Sequence, residues 1–468
     1  MRLDLTPDQR LLRSATADFL ADTCPVTVSR ALHEAGRSFD RDTWRLGAEL
    51  GWASLLVPED LGGGSVSGAG LIDATIIAEQ FGTLAAPGPF LPVNVVAHAL
   101  AQAPNAVAHA GLLKRLLAGE AIGTWACCPP GGGWDPAAGA IEAVPDGNGY
   151  RLTGVHEGVE AAAEADFFLV LARTSDGPAQ LIVPAGAAGL SVEAMGTLDL
   201  TRCFGRVSYD GVRAGPGAVV GVIGEAAGAV ERQFQVAVVL QCAELGGVVD
   251  AVLEMTRQWL ASRFTFGRPL ESYQALKHRF ADLTTWSHAA QAATDAAATA
   301  VQERHPDAAE VVSIAKAYAG QRATDIIQDC VQLHGGIGVT WEHDIHVYLR
   351  RATVGRVTWG TPSQHRRRIA GLLGATLQRS TSDRHGKCAE LPAACPGVDR
   401  REPHPGGGRA GVRDGHRRAR RGHLAAGPRA AGPAVRGRLR RHLLPQGVRR
   451  PRPHPGPPAG VQRGGHRV

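Results

Sequence analysis

Two short runs in this chain have the chemistry to hold an anion. One is Arg263-Phe264-Thr265-Phe266-Gly267-Arg268-Pro269-Leu270; the other is Gln332-Leu333-His334-Gly335-Gly336-Ile337-Gly338. Arginine presents a planar, permanently charged fork that matches a phosphate or carboxylate. Adjacent glycines carry no side chains, so backbone N–H groups can come up against the same group. A Gly-Gly pair on its own more often just ends a helix. Proton chemistry is less well provided for. Glu244 is a carboxylate in a long apolar stretch, where an acid is usually a satisfied structural group. Glu342, His343, Asp344 and His346 follow the glycine run and read as interface or structural residues. The eight cysteines include no C-x-x-C pair and no metal-ligand spacing, and adjacent Cys127 and Cys128 read as reduced thiols, so no metal is implied.

The elements that must position these groups fall into three segments and a tail. Residues 1–117 read as helical. Thr6-Pro7-Asp8 is a helix start, with Leu11, Leu12, Ala15 and Phe19 at helical spacing after it. Leu71 to Phe81 forms a second apolar helix, and Leu112 to Leu117 closes the segment. From about residue 120 to 213 short β-like runs alternate with turn residues. Ala140 to Val144 and Tyr150 to Thr153 flank Asp146-Gly147-Asn148-Gly149 as a hairpin, and Phe167 to Ala172 and Gln180 to Val183 read as buried strands. Long helices return over Ala226–Leu260, Gln274–Gln302 and Ala308–Leu333, and Ile369 to Leu377 is the last periodic segment.

Hydrophobic content of 44% with 20% charged residues is that of a soluble globular protein. No apolar run reaches the roughly 18 residues of a membrane span. The N-terminus lacks the apolar core of a signal peptide, so a cytoplasmic location is expected. The net charge of +6 misleads. Twenty of the 50 Lys and Arg but five of the 44 Asp and Glu lie from Ser380 onward, so residues 1–379 carry −9. Nothing in that balance calls for nucleic acid.

The two anion-holding runs, with Gln274 between them, resemble the flavin-binding signature of the acyl-CoA dehydrogenase family. The order of segments over residues 4–378 is similar to that family's as well. The resemblance implies an α+β protein: an N-terminal helical domain (1–117), a small middle β-domain (118–215), a C-terminal four-helix bundle (225–378) and an irregular basic tail (380–468). It implies FAD as cofactor, an acyl-CoA thioester as substrate and electron-transfer flavoprotein or a similar acceptor. In such enzymes a carboxylate takes the α-proton while the β-hydrogen leaves as hydride to the flavin. The family's ADP cradle serves the neighbouring subunit's flavin. Carried over, it assigns Arg263, Thr265, Phe266, Gln274, Gln332, Leu333, Gly335, Gly336 and Thr361 to cofactor binding.

The rest of the family's site is missing. Cys128 and Pro129 stand where the flavin-ring contacts are expected, as does Trp134 a few residues on. Gly158 replaces an aromatic flavin neighbour and Glu160 a hydroxyl residue. The two usual positions of the catalytic base fall on Trp359 and Ala237, so no catalytic residue is assigned and Glu244 is the remaining weak candidate. The substrate-anchoring arginine falls on Val238, with Gln235 and Gln241 nearby. What is retained is what a dimer mate donates. The chain thus resembles the partner subunits of actinobacterial α2β2 acyl-CoA dehydrogenases, and a second dehydrogenase chain is the expected partner. Two alternatives stay open: a self-sufficient homo-oligomer with an atypical base, and a non-catalytic acyl-CoA-binding or scaffold descendant.

The tail from Ser380 is Arg, Pro, Gly, His and Ala with almost no aliphatic periodicity, the composition of a disordered basic segment. A second reading comes from the genetic code. Shifted by one base, codons for Leu444 to Pro457 can spell YPKEYGGRGLTP, which resembles the family's counterpart of Val57 to Gly64. A frameshifted reading into a neighbouring dehydrogenase gene is therefore expected.

Overall fold

The computed structural model describes residues 5–131 and 141–374. The expectations for Trp134 and for the tail lie outside the described residues.

The first helix, α1 (Pro7–Thr23), starts as its sequence requires. Thr6 Oγ1 accepts from the Gln9 backbone N–H at 3.2 Å, and Gln9 Oε1 accepts from the Thr6 N–H at 3.1 Å, which closes a capping box. Helices α2 (Val26–Glu34), α3 (Arg41–Glu49), α4 (Gly70–Thr83), α5 (Phe90–Gln102) and α6 (Ala110–Leu117) complete the segment. α5 is buried on nearly every side, which is why it is apolar all round rather than amphipathic.

An eight-stranded sheet follows, built from β1 (Gly123–Ala126), β2 (Ile141–Asp146), β3 (Gly149–Glu160), β4 (Phe167–Thr174), β5 (Gly177–Pro184), β6 (Leu190–Met195), β7 (Phe204–Ala214) and β8 (Val219–Val220). Its order is β6-β7-β3-β2-β4-β5-β8, and β1 pairs with β4 in parallel. The β2–β3 hairpin turns on Gly147 at φ 65°, a conformation glycine adopts without steric cost.

The C-terminal segment holds α7 (Ala227–Ser262), a small hairpin of β9 (Phe264–Thr265) and β10 (Arg268–Pro269), α8 (Gln274–Gln302), α9 (Ala308–His334) and α10 (Ile345–Val357). A further helix, α11, covers 362–374. By composition α7 is long and apolar enough to cross a membrane, contrary to the expectation that no run is; 83% of that window is buried here, so its place inside the bundle accounts for its character. It meets α4 backbone to backbone. A Cβ on Gly247 would lie 1.9 Å from the Glu79 carbonyl oxygen, and one on Gly82 2.0 Å from that of Glu244.

Two helices depart from the expected pattern. α10 goes unseen because its β-branched and polar residues give little helical periodicity, and packing against α9 and α7 decides its state. α11 begins before Ile369 because Thr361 caps it: its Oγ1 accepts from the Gln364 N–H at 3.2 Å.

Candidate functional site

The end of α7, the start of α8 and the end of α9 share one end of the bundle, where Arg279 of α8 pairs with Asp329 of α9. Here the β9–β10 hairpin turns through Phe266 (φ 51°) and Gly267 (φ 79°), both in the left-handed region that a two-residue hairpin of this type demands. Phenylalanine is an unfavourable residue there, and Phe266 is 94% exposed. The hairpin is held from behind. Tyr273 donates its hydroxyl to the Thr265 carbonyl at 2.7 Å, and the Arg268 guanidinium lies 3.8 Å from the centre of the Tyr273 ring.

Arg263 follows α7 directly and is exposed, its guanidinium 5.7 Å over the Trp259 ring. Among the described residues no carboxylate pairs with it. Trp259 in turn stacks on His334, with ring centres 5.6 Å apart. His334 Nδ1 donates to the Cys330 carbonyl at 2.8 Å, and burial lowers its pKa, so the ring is neutral. The next residue, Gly335, takes φ 68° and ψ −142°, a backbone region open in practice only to glycine. A Cβ placed on Gly335 or Gly336 would meet nothing within 4 Å. The two ring contacts thus link Arg263 to the glycine turn. Gln274 and Gln332 sit at the adjoining helix ends and are exposed, whereas Leu333 is partly buried.

Thr361 is placed differently. It lies beyond the C-terminal end of α10, a helix about 20 Å long whose other end adjoins the glycine turn. Its hydroxyl donates to Gln364 Oε1 at 2.9 Å while capping α11. Within this chain Thr361 therefore caps α11.

A second region faces inward. A cleft of about 400 Å³ lies between the sheet and the end of α10, lined by Cys128, Gly158, Met195, Phe204 and Trp359 among others. Trp359 occupies the expected base position at φ 59° and is 9% exposed. Its ring stacks on Trp125 of β1, centres 5.5 Å apart and planes 20° from parallel. The Trp359 carbonyl accepts from His365 Nε2 at 2.9 Å. Ala237 and Val238 on α7 are fully buried and apolar. Gly158, at φ 65°, directs its N–H to Met195 Sδ at 3.3 Å and offers no ring face.

Glu244 lies in a buried ion network. Arg351 Nε donates to Glu244 Oε1 at 2.9 Å, and Arg202 pairs with the other oxygen. Arg202 also reaches Glu160 Oε1 at 3.3 Å and Gln241 Oε1 at 3.0 Å, while Arg351 donates to Thr201 Oγ1 at 2.6 Å and the Ala86 carbonyl at 2.9 Å. Burial alone would raise the Glu244 pKa, but the two arginines outweigh it and hold the carboxyl below its ordinary range. Glu160 goes the other way: burial pushes it to about 6 against the pull of Arg202. A carboxylate held by two guanidiniums is a poor proton acceptor.

Sequence reasoning missed Arg202, Arg351 and Lys316. Lys316 is buried, donates to the Gly355 carbonyl and is lowered to about 8 by burial. One signal was available: Lys316 interrupts an apolar helix face that runs through Val312, Ala319, Gly320 and Ala323. Arg202 and Arg351 come from a loop and from α10, and nothing local marks them. The polar cluster after the glycine run is structural: Arg30 of α2 donates to Asp344 Oδ1 at 2.8 Å and to the Trp341 carbonyl at 2.9 Å.

A helical segment, a β-sheet and a helical bundle ending in an outward glycine turn define the architecture of a flavin-dependent dehydrogenase. The model of the acyl-CoA dehydrogenase N-terminal domain matches residues 6–120, and that of the C-terminal domain residues 227–373. The chain is 30% identical to acyl-CoA dehydrogenase IpdE2 of Mycobacterium tuberculosis over 354 residues, covering 74% of this chain and 92% of that one. Among solved structures it resembles a variant of the Tcur3481–Tcur3483 steroid ACAD, with TM-score 0.72, 30% identity and coverage of 79% of this chain and 99% of that one. It also resembles the ChsE4–ChsE5 complex from Mycobacterium tuberculosis, with TM-score 0.71, 28% identity and coverage of 84% and 100%. The chain belongs to the acyl-CoA dehydrogenase family of oxidoreductases, whose members bind FAD.

The two regions fit that cofactor unequally. The outward face offers an arginine with no carboxylate partner among the described residues and a glycine turn with open space above it, which suits the ADP half. The inward cleft offers stacked indoles and a side-chain-free Gly158 where a ring cradle would need polar donors, and it does not suit the flavin ring.

Proposed function

We propose that this chain is the partner subunit of a heteromeric, FAD-dependent acyl-CoA dehydrogenase. Its outward face, with Arg263, Thr265, Phe266, Gln274, Gln332, Leu333, Gly335 and Gly336, holds the ADP half of a cofactor whose ring lies in a second dehydrogenase chain. The observation that carries this reading is the asymmetry between that open face and a base position filled by the Trp359–Trp125 stack. FAD, when bound, supplies the hydride acceptor for α,β-dehydrogenation of an acyl-CoA thioester. This chain's residues bind and orient it: Arg263 and the backbone N–H groups around Gly335 neutralise the diphosphate, and the exposed Phe266 ring offers a stacking face. The partner chain supplies the base and the thioester contacts, with electron-transfer flavoprotein or a similar protein as acceptor. Two of the similar structures bear the names of two-component assemblies, one of them a steroid ACAD, which supports a bulky acyl group as substrate. The assembly works in the cytoplasm.

Expression of the chain alone and together with a candidate catalytic dehydrogenase chain tests the proposal. FAD and turnover are expected only from the co-expressed pair. Stoichiometric FAD and turnover from this chain alone would establish a self-sufficient enzyme instead, and absence of flavin from both preparations would favour a scaffold. In the complex, Arg263→Ala should weaken FAD retention by about 1.5–3 kcal/mol, the scale of one charge-assisted contact. Unchanged FAD retention in that variant would remove Arg263 from the site.

A further inference from the structure

A separate cavity of about 350 Å³ shares no lining residue with the Trp359 cleft. It is bounded by the glycine-rich loop between α3 and α4, the end of α5, the first turns of α7 and the end of α8. Arg232 of α7 and Arg304, just after α8, converge on it. The Arg304 charge depresses the pKa of Arg232 beyond the effect of burial, which places two guanidiniums within electrostatic reach of each other. Neither has a carboxylate partner among the described residues. Arg304 donates to Gln102 Oε1 at 2.7 Å, and Arg232 Nε is buried without a hydrogen-bond partner there. Arg304 is held at φ 54°, a conformation arginine rarely adopts.

His98 of α5 completes the cluster. It is 8% exposed; one ring nitrogen bonds the Leu56 carbonyl, and Nε2 is buried with no partner among the described residues. Burial, Arg232 and Arg304 together lower its pKa to about 4, so the ring is neutral and Nε2 is a bare acceptor. Glu59 is the only acid among the lining residues, and it is exposed. Like charges that converge on a cavity beside an unsatisfied acceptor are unfavourable unless an anion joins them.

We propose that this cavity binds a small organic anion, with Arg232 and Arg304 taking its carboxylate or phosphoryl group and His98 Nε2 accepting a hydrogen bond from an adjacent hydroxyl or amide. The site is independent of the FAD reading above. It is tested on the full-length chain by thermal unfolding titrated with sodium sulfate and, separately, sodium acetate at constant ionic strength. A saturable rise in Tm with sulfate identifies a phosphoryl ligand, and one with acetate a carboxylate. Arg232→Gln and Arg304→Gln should each weaken that response roughly tenfold or more. Without added anion, Arg232→Gln should be no less stable than the parent, because it removes a like-charge contact, and this separates loss of binding from loss of folding. No saturable rise with either anion, or the same rise in both variants, overturns the proposal.

Discussion

The two ends of the site are built on opposite terms. At the Gly335 turn the backbone takes a conformation that only glycine accepts, the space above it is open, and Arg263 and Phe266 stand out from the surface. At Trp359 the backbone is again left-handed, but here a large side chain turns inward and is buried against Trp125. Of the two, only Trp359 is strained, because glycine takes a positive φ without steric cost. The contrast teaches that a large ring at the expected base position can pack against its neighbour while a cleft of about 400 Å³ stays open beside it. The indole pair and the ion network on Glu244 are buried, while the outward face keeps Arg263 exposed with no carboxylate partner among the described residues.

The largest expected effect comes from the network under the closed region. Glu244→Leu leaves Arg202 and Arg351 buried without their shared carboxylate and should cost about 3–5 kcal/mol in denaturant unfolding. A loss below 1 kcal/mol would show that Glu244 is not structural and would revive it as a base. Next, Trp359→Ala removes the stack and should cost about 3 kcal/mol by the same measurement, without producing dehydrogenase turnover in the chain alone. Turnover gained by opening that cleft would break the comparison outright.

Glu160 gives a pH test. Its pKa in the folded chain, about 6, lies above the ordinary 4.5. Its contribution is therefore fully present below pH 4.5 and is lost as pH rises through 6. The stability of Glu160→Gln relative to the parent should shift in the variant's favour across that window, and a flat difference would mean that Arg202 neutralises the penalty of burial. The smallest effect belongs to the exposed hairpin. Phe266→Gly relieves a left-handed phenylalanine and should leave the chain equally stable or better by about 1 kcal/mol, while FAD retention in the complex falls. Unchanged retention would make the exposed ring incidental.

The helix ends that form the outward face could be read from local sequence, whereas the assignment of their residues to a cofactor came from the family resemblance. Arg263, Gln274 and the Gly335–Gly336 pair sit at helix ends, where residue type and neighbours in the chain dictate conformation, and the Thr6 capping box is equally local. The order of helices, strands and bundle followed from periodicity for the same reason. A hydroxyl residue before a proline can cap a helix as well as contact a ligand, and the fold shows which helix Thr361 starts. The substitution at Trp359 was plain as an identity change; that its ring would stack on Trp125, far away in sequence, was not. Tertiary structure alone assembled Glu160, Arg202, Glu244 and Arg351 from β3, a loop, α7 and α10, and brought Arg232 to Arg304 and His98. Pairing of buried charges depends on which distant segments exclude water together, and no local pattern of residues encodes that.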